Sequence, residues 1–240
     1  MRRFFAENID TAGDRVTLTG DEARHICAVL RMKAGDEVLL INGEGEECTA
    51  VIERAAASEV VLRVLERRPG ASEPKVRVTL FQCLPKQGKM ELIIQKCVEL
   101  GVWRITPTVS KRCVVKLDGK DNKLARWNKV SREAAKQCGR AAVPEVTSPM
   151  ALSSIDLSAF DTVIIPYENE EDLTLKSFLR SAPEPKEIAV IIGPEGGFEQ
   201  SEVDRVLSAG GAAVSLGKRI LRTETAGIAC LAQIMYELEQ

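Results

Sequence analysis

The chain has 240 residues, 45% hydrophobic and 28% charged, a size and balance that fit one large or two modest globular domains, and its 4% aromatic content leaves the core to Val, Ile, Leu and Ala. No apolar run of signal-peptide kind opens MRRFFAEN and no stretch approaches roughly 18 apolar residues; seven scattered cysteines without C-x-x-C spacing and a single histidine predict a cytoplasmic protein with reduced thiols, no membrane segment and no metal. The net charge of −2 hides a segregation: residues 71–140 hold 16 Lys and Arg against 6 Asp and Glu, whereas the last hundred residues hold 7 against 16, and a like-signed field of the first kind attracts polyanions.

Short alternating or apolar runs at Arg15–Thr19, Glu37–Ile41, Cys48–Arg54 and Glu59–Leu65 predict strands, separated by turn signals at Ala34–Asp36 and Asn42–Gly45. One helix over Asp21–Arg31 interrupts them, with Ala23, Ile26, Cys27 and Leu30 at helical spacing. So many strands in so few residues suggest a small β-barrel over residues 1–70 that closes its own edges. Arg67–Pro74 is expected to be a linker.

From residue 74 to 240 the pattern becomes strand, helix, strand, helix. Strands are predicted at Val76–Leu84, Arg104–Val109, Asp161–Pro166, Glu187–Ile192 and Ala212–Leu216. Helices are predicted after Met90 up to Leu100-Gly101, over Leu124–Cys138, Leu173–Leu179 and Ser201–Ala209, and over Thr225–Glu237 with Ile228, Leu231, Ala232 and Met235 on one face. A Ser201-x-x-Asp204 cap and Gly210-Gly211 bracket the fourth of these. Such alternation means an α/β domain whose parallel sheet carries helices on both faces.

Ligands of such sheets sit at the carboxyl ends of the strands, where three loops qualify: 165–168, 193–198 and 216–225. The second, GPEGGF, has glycines that bring backbone close to a ligand, yet it is neither a dinucleotide fingerprint nor a P-loop. With no metal cluster and no nucleophile paired to a histidine, a reaction that needs positioning and one proton removal fits best.

GPEGGF (Gly193–Phe198) and LGKRILRTETA (Leu216–Ala226) resemble the cofactor-binding signatures of the ribosomal RNA uracil-N(3)-methyltransferase family of the trefoil-knotted SPOUT superfamily. The likeness continues through QCGR (Gln137–Arg140), KMELIIQKCVELGV (Lys89–Val102) and HICAVLRMKAGD (His25–Asp36), so it spans the chain. Cys113 and Cys138 stand where the family often carries serine.

The resemblance implies a PUA-like N-terminal barrel, a SPOUT-type knotted α/β domain, a homodimer, and methyl transfer from S-adenosylmethionine to a uracil ring nitrogen of 16S rRNA or the small ribosomal subunit. The knot itself is foreign to general topology rules. By the same resemblance Pro166, Tyr167, Gly193, Gly196, Gly197, Leu216, Gly217, Ile220 and Leu221 hold the cofactor, and Arg222 is the catalytic group, orienting the uracil or stabilising charge on its carbonyl oxygens. Its alternative is a salt bridge to Glu195 or Glu224. RNA contacts fall to Arg2, Arg3, Arg31, Lys89, Arg112, Gln137 and Arg140, with Lys86 and Lys136 as further basic candidates. His25 reads as a packed barrel residue, and the general base stays open. Three other readings share these features: a knotted enzyme acting on tRNA or ribose hydroxyls, a non-catalytic RNA-binding factor, and a nucleotide-binding enzyme, the last lacking the lysine its phosphate loop needs.

Overall fold

A computed structural model of the chain describes residues 1–6, 14–86, 88–114, 123–181 and 184–239. It divides into two compact units: Met1–Glu73 with Ala135–Val143, and Pro74–Ala134 with Pro144–Gln240. No helix among the described residues is long and apolar enough to cross a membrane.

The first unit contains β1 (Arg2–Phe5), β2 (Arg15–Thr19), α1 (Gly20–Arg24), β3 (Glu37–Ile41), β4 (Glu46–Ala56) and β5 (Glu59–Pro69). They form one sheet in the order β1-β3-β4-β5-β2, antiparallel except for β1 beside β3. Alternation puts Val16 and Leu18 inward on β2 and leaves Arg15, Thr17 and Thr19 outside. Two register shifts between β4 and β5 add the twist that curls a small sheet, and its concave side closes over Phe4, Ile26, Leu40, Ile52 and Leu62.

Several details depart from the sequence expectation. β1 has four residues, too short for a periodic signal, and forms because β3 offers an edge. β5 runs through Pro69, pairing Arg67 and Arg68 with Cys48 and Glu47, so the start of the expected linker is strand. The expected helix over Asp21–Arg31 is α-helical only to Arg24, widens into a π-type turn over His25–Val29, and ends where Arg31 adopts a φ of +53°. The exposed His25 ring meets Phe4 edge-on at 6.1 Å. Ala135–Val143 joins this unit by backbone bonds from Gly45 N to the Ala141 carbonyl (3.2 Å) and from Val143 N to the Gly43 carbonyl (2.8 Å), which nothing in the local pattern announced.

The second unit carries β6 (Arg77–Cys83), α2 (Met90–Glu99), β7 (Arg104–Val109), most of α3 (Lys123–Cys138), β8 (Glu145–Val146), β9 (Met150–Ala151), β10 (Thr162–Pro166), α4 (Leu175–Ser181), β11 (Glu187–Ile192), α5 (Gln200–Ser208), β12 (Ala212–Val214) and α6 (Thr223–Leu238). The sheet order is β12-β10-β11-β6-β7-β8, with β9 also on β7, and every pair is parallel. β6 and β11 lie at its centre and read as apolar runs because both of their faces are covered. Phe81, Ile165, Ile191 and Phe198 pack with Val203 and Val206 of α5 on one face, while α2, α4 and α6 form the other layer, α6 lying on β6 and β11. After the edge strand β12 the chain thus returns to the middle of the sheet.

α5 starts one residue earlier than expected and is not capped by Ser201 and Asp204. Glu199 is the cap, its backbone N–H donating to the Glu202 carboxylate (2.9 Å), while Asp204 accepts from Gln200 instead. α6 is also rotated: Gly227, Cys230, Leu231, Ile234 and Met235 are buried, whereas Ile228 and Ala232 are only half covered. A helix apolar on most sides offers periodicity no single face to choose. Leu231 and Met235 are buried within the chain's own core.

Candidate active site

β10, β11 and β12 end side by side, Pro166 in register with Val214, so the loops that follow them converge. In the first, Tyr167 N donates to the Val214 carbonyl (3.0 Å), and the Tyr167 hydroxyl donates to Gln200 Oε1 (3.2 Å) while accepting from Asn169 (2.9 Å). The ring is thereby tied to α5.

The glycine-rich loop is shaped by close approach. A Cβ on Gly193 would lie 2.9 Å from the buried Phe198 ring, and one on Gly197, whose φ is +69°, would lie 2.2 Å from Glu168 Oε1. Gly197→Ala therefore combines a left-handed backbone, worth about 1–2 kcal/mol against a side chain, with displacement of Glu168. It is expected to lower stability by at least that amount in urea titration and to weaken ligand binding at this loop more than Gly210→Ala does, since Gly210 has open space around it.

The third loop is different. Ser215 is bridged to Thr174 and held by the Leu173 carbonyl, and Gly217 turns the chain at φ +113°. Among the described residues no backbone–backbone hydrogen bond engages Leu216–Leu221. Ile220 is 89% exposed, with Leu216 and Leu221 half-buried behind it. Apart from Gly217 N, which donates to Ser215 Oγ (3.3 Å), this loop's peptide groups lie beside an exposed apolar side chain and suit a ligand with a flat apolar ring and polar edges, such as a nucleoside.

Arg222 is the residue before α6, with φ −67° and ψ 153°, and its side chain makes no cap bond. It is exposed; its carbonyl accepts from Ala226 N (2.8 Å), and its side chain makes no hydrogen bond or ion pair among the described residues. The two carboxylates that could have neutralised it are engaged elsewhere: Glu195 accepts from Lys86 N (2.9 Å) and Glu224 from Lys89 Nζ (2.7 Å). The Lys89 ammonium holds the Glu224 carboxyl below its ordinary range, so the pair is charged at neutral pH.

Beneath these loops lies a polar link that the sequence reading missed. Buried Gln82 donates to Thr223 Oγ1 (2.9 Å), which donates to the Gly193 carbonyl (2.6 Å). This joins the centre of the sheet, the glycine-rich loop and the start of α6. A lone glutamine inside the apolar run of β6 was the available signal.

The RNA candidates scatter. Arg2, Arg31, Arg112 and Gln137 are exposed, and Arg112 also donates to the Gly196 carbonyl (3.3 Å). Arg3 donates to the Gly139 carbonyl and lies 3.8 Å from buried Glu47, which Arg68 approaches to 3.4 Å. Lys89 is committed to Glu224. Arg140 has to be corrected: it is 3% exposed and bound to Glu73 through Nε (3.2 Å) and Nη2 (2.7 Å), so no phosphate reaches it while that pair stands. Lys136 likewise pairs with Glu22 (2.8 Å).

Residues 72–235 match the RNA methyltransferase domain model and residues 18–65 the RNA methyltransferase PUA domain model. Ribosomal RNA small subunit methyltransferase E of Bacillus subtilis (strain 168) is 34% identical over 251 residues, covering 100% of this chain and 98% of its own length. This chain belongs to the ribosomal RNA small subunit methyltransferase E family. A family member from Neisseria gonorrhoeae, solved bound to S-adenosyl methionine, superposes with a TM-score of 0.81 at 31% identity, covering 99% of this chain and 98% of that one. A Legionella pneumophila methyltransferase in complex with the same cofactor gives 0.78 at 32%, covering 98% and 97%. The two-unit plan is therefore the family's own, a SPOUT-type sheet with a PUA-like companion.

Proposed function

We propose that this chain transfers a methyl group from S-adenosylmethionine to N(3) of a specific uridine in 16S ribosomal RNA, on naked RNA or the small subunit, in the cytoplasm. The observation that carries the cofactor reading is Leu216–Leu221, which makes no backbone–backbone hydrogen bond among the described residues and exposes Ile220. Leu216, Ile220 and Leu221 provide the apolar wall for the adenine. Pro166, Tyr167, Gly193, Gly196, Gly197 and Gly217 provide close backbone and the bends that shape the cradle. Bound there, the cofactor supplies an already activated methyl group, so the protein's task is alignment and charge.

The uracil N(3)–H is a weak acid whose loss places negative charge on the flanking carbonyl oxygens. Arg222, exposed at the head of α6, meets that charge. RNA is held by exposed Arg2, Arg3, Arg31, Arg112 and Gln137, with residues 1–70 as the RNA-binding PUA-like domain and 74–240 as the catalytic one. Splayed bases and phosphate contacts are how looped RNA is ordinarily read.

Calorimetry with S-adenosylmethionine should give a dissociation constant in the micromolar range and a higher melting temperature, because a ligand of the native state stabilises it. Absence of both removes the enzyme reading. Mass spectrometry of ribosomal RNA from a strain lacking the chain should show one N(3)-methyluridine missing from the small subunit; loss of a ribose methyl instead assigns a different reaction. We further propose a homodimer, for which light scattering should return about twice the 26.3 kDa chain mass.

A further inference from the structure

Gln82 interrupts the apolar run of β6, fully buried and in register with Ile192, the last residue of β11 and the one before Gly193. Its neighbours orient its amide. The Cys83 carbonyl can only accept, so the group facing it at 3.1 Å is Nε2. The second Nε2–H donates to Thr223 Oγ1 (2.9 Å), and that hydroxyl donates in turn to the Gly193 carbonyl (2.6 Å). The relay runs one way, from the centre of the sheet to the first residue of the glycine-rich loop.

Two features are hard to account for by packing alone. Gln82 Oε1 is buried without a hydrogen-bond partner among the described residues, which lowers stability, whereas Leu or Met would fill the same place in β6 with no such loss. Thr223 is 4% exposed and turns its hydroxyl away from its own helix, towards Gly193. Gly227, one turn further along the same face of α6, has no side chain where a Cβ would lie 2.7 Å from Gln82 Oε1. The helix comes this close to the amide only because position 227 is glycine.

We propose that, with the glycine-rich loop read as part of the S-adenosylmethionine cradle, Gln82 and Thr223 are its positioning residues: their relay fixes the Gly193 carbonyl and sets the loop in its binding shape before any ligand arrives. The loop is closed on itself. Gly197 N donates to the Pro194 carbonyl (3.0 Å), and the Phe198 ring lies against Gly193, 2.9 Å from where its Cβ would be. Holding Gly193 therefore holds both ends. Lys86 N and Arg112 grip Glu195 and the Gly196 carbonyl from the exposed side, and Thr223 grips the first peptide from within. A loop ordered in advance loses less freedom when a ligand binds, and affinity rises accordingly.

Amide hydrogen exchange on the unliganded full-length protein reads the loop directly. In Thr223→Val, which keeps the shape and loses the hydroxyl, peptides covering 193–198 should exchange faster than in the wild type. Calorimetry should show S-adenosylmethionine binding about tenfold more weakly, the scale of one buried hydrogen bond. Thr223→Ser should restore both. Gln82→Met should also speed exchange at 193–198, yet melt no lower than the wild type, because the unpaired oxygen leaves with the amide. Val146→Ala, a buried change in the edge strand β8, should move neither loop exchange nor affinity. A Thr223→Val protein whose loop exchanges and binds as the wild type does overturns the proposal, as does Val146→Ala matching its effects. Should Thr223→Val not fold, unchanged exchange in Gln82→Met does the same. A wild type that binds no S-adenosylmethionine overturns the cradle reading instead, and the exchange comparison still decides whether the relay holds the loop.

Discussion

Replacing Arg222 by alanine is expected to lower the single-turnover methylation rate by about 10²-fold or more, the scale of losing one preorganised charge-stabilising group, while the RNA dissociation constant stays within a few-fold. The geometry makes this a sharp expectation. The Arg222 side chain does not cap α6, and Glu195 and Glu224 are hydrogen-bonded to Lys86 N and Lys89 Nζ, so Arg222 acts on Glu224 only through its charge. Arg222→Lys should recover only part of the rate, since an ammonium keeps the charge without the planar fork that fits a uracil carbonyl. Filter binding and tritium transfer on the same preparations separate the two quantities. An alanine variant that methylates at the wild-type rate removes Arg222 from the mechanism.

The elements of the second unit were legible because its buried parallel strands are unbroken apolar runs, and its helices carry stripes between clear stops such as Gly101 and Gly210-Gly211. The three converging loops followed from that order alone. What stayed hidden depends on contacts distant in sequence. Gln82 meets Thr223 across 141 positions, and Glu73 meets Arg140 across 67; no local pattern encodes either. β1 and the rotation of α6 were hidden for another reason, since four residues have no period and an almost wholly apolar helix has several equivalent faces. Basic residues were the least legible class. Lys89, Lys136 and Arg140 look alike in the sequence to Arg2 and Arg112, and only folding reveals which cations already have a carboxylate.

Glu73→Ala is expected to destabilise the first unit by about 3–5 kcal/mol, the range for breaking a buried ion pair from one side. One Glu73 oxygen accepts from Arg140 Nε and Nη2, and the other accepts from Ala141 N (2.8 Å) and Ala142 N (2.9 Å). Alanine thus leaves a guanidinium that is 3% exposed without its carboxylate and two peptide N–H groups without an acceptor. It also loosens the clamp between the end of β5 and Ala135–Val143. Arg140→Ala should likewise cost stability, and it should leave the salt dependence of RNA binding unchanged where the fold persists. That reverses the expectation drawn from its basic neighbourhood, in which each lost phosphate contact reduces the salt slope by about one. Arg112→Ala keeps that expectation, because Arg112 is exposed and, among the described residues, its side chain holds only the Gly196 carbonyl. Urea titration of Glu73→Ala and Arg140→Ala, beside filter binding at several salt concentrations for Arg140→Ala and Arg112→Ala, distinguishes the roles. A stable Arg140→Ala protein with a slope reduced by one returns Arg140 to the RNA-binding surface.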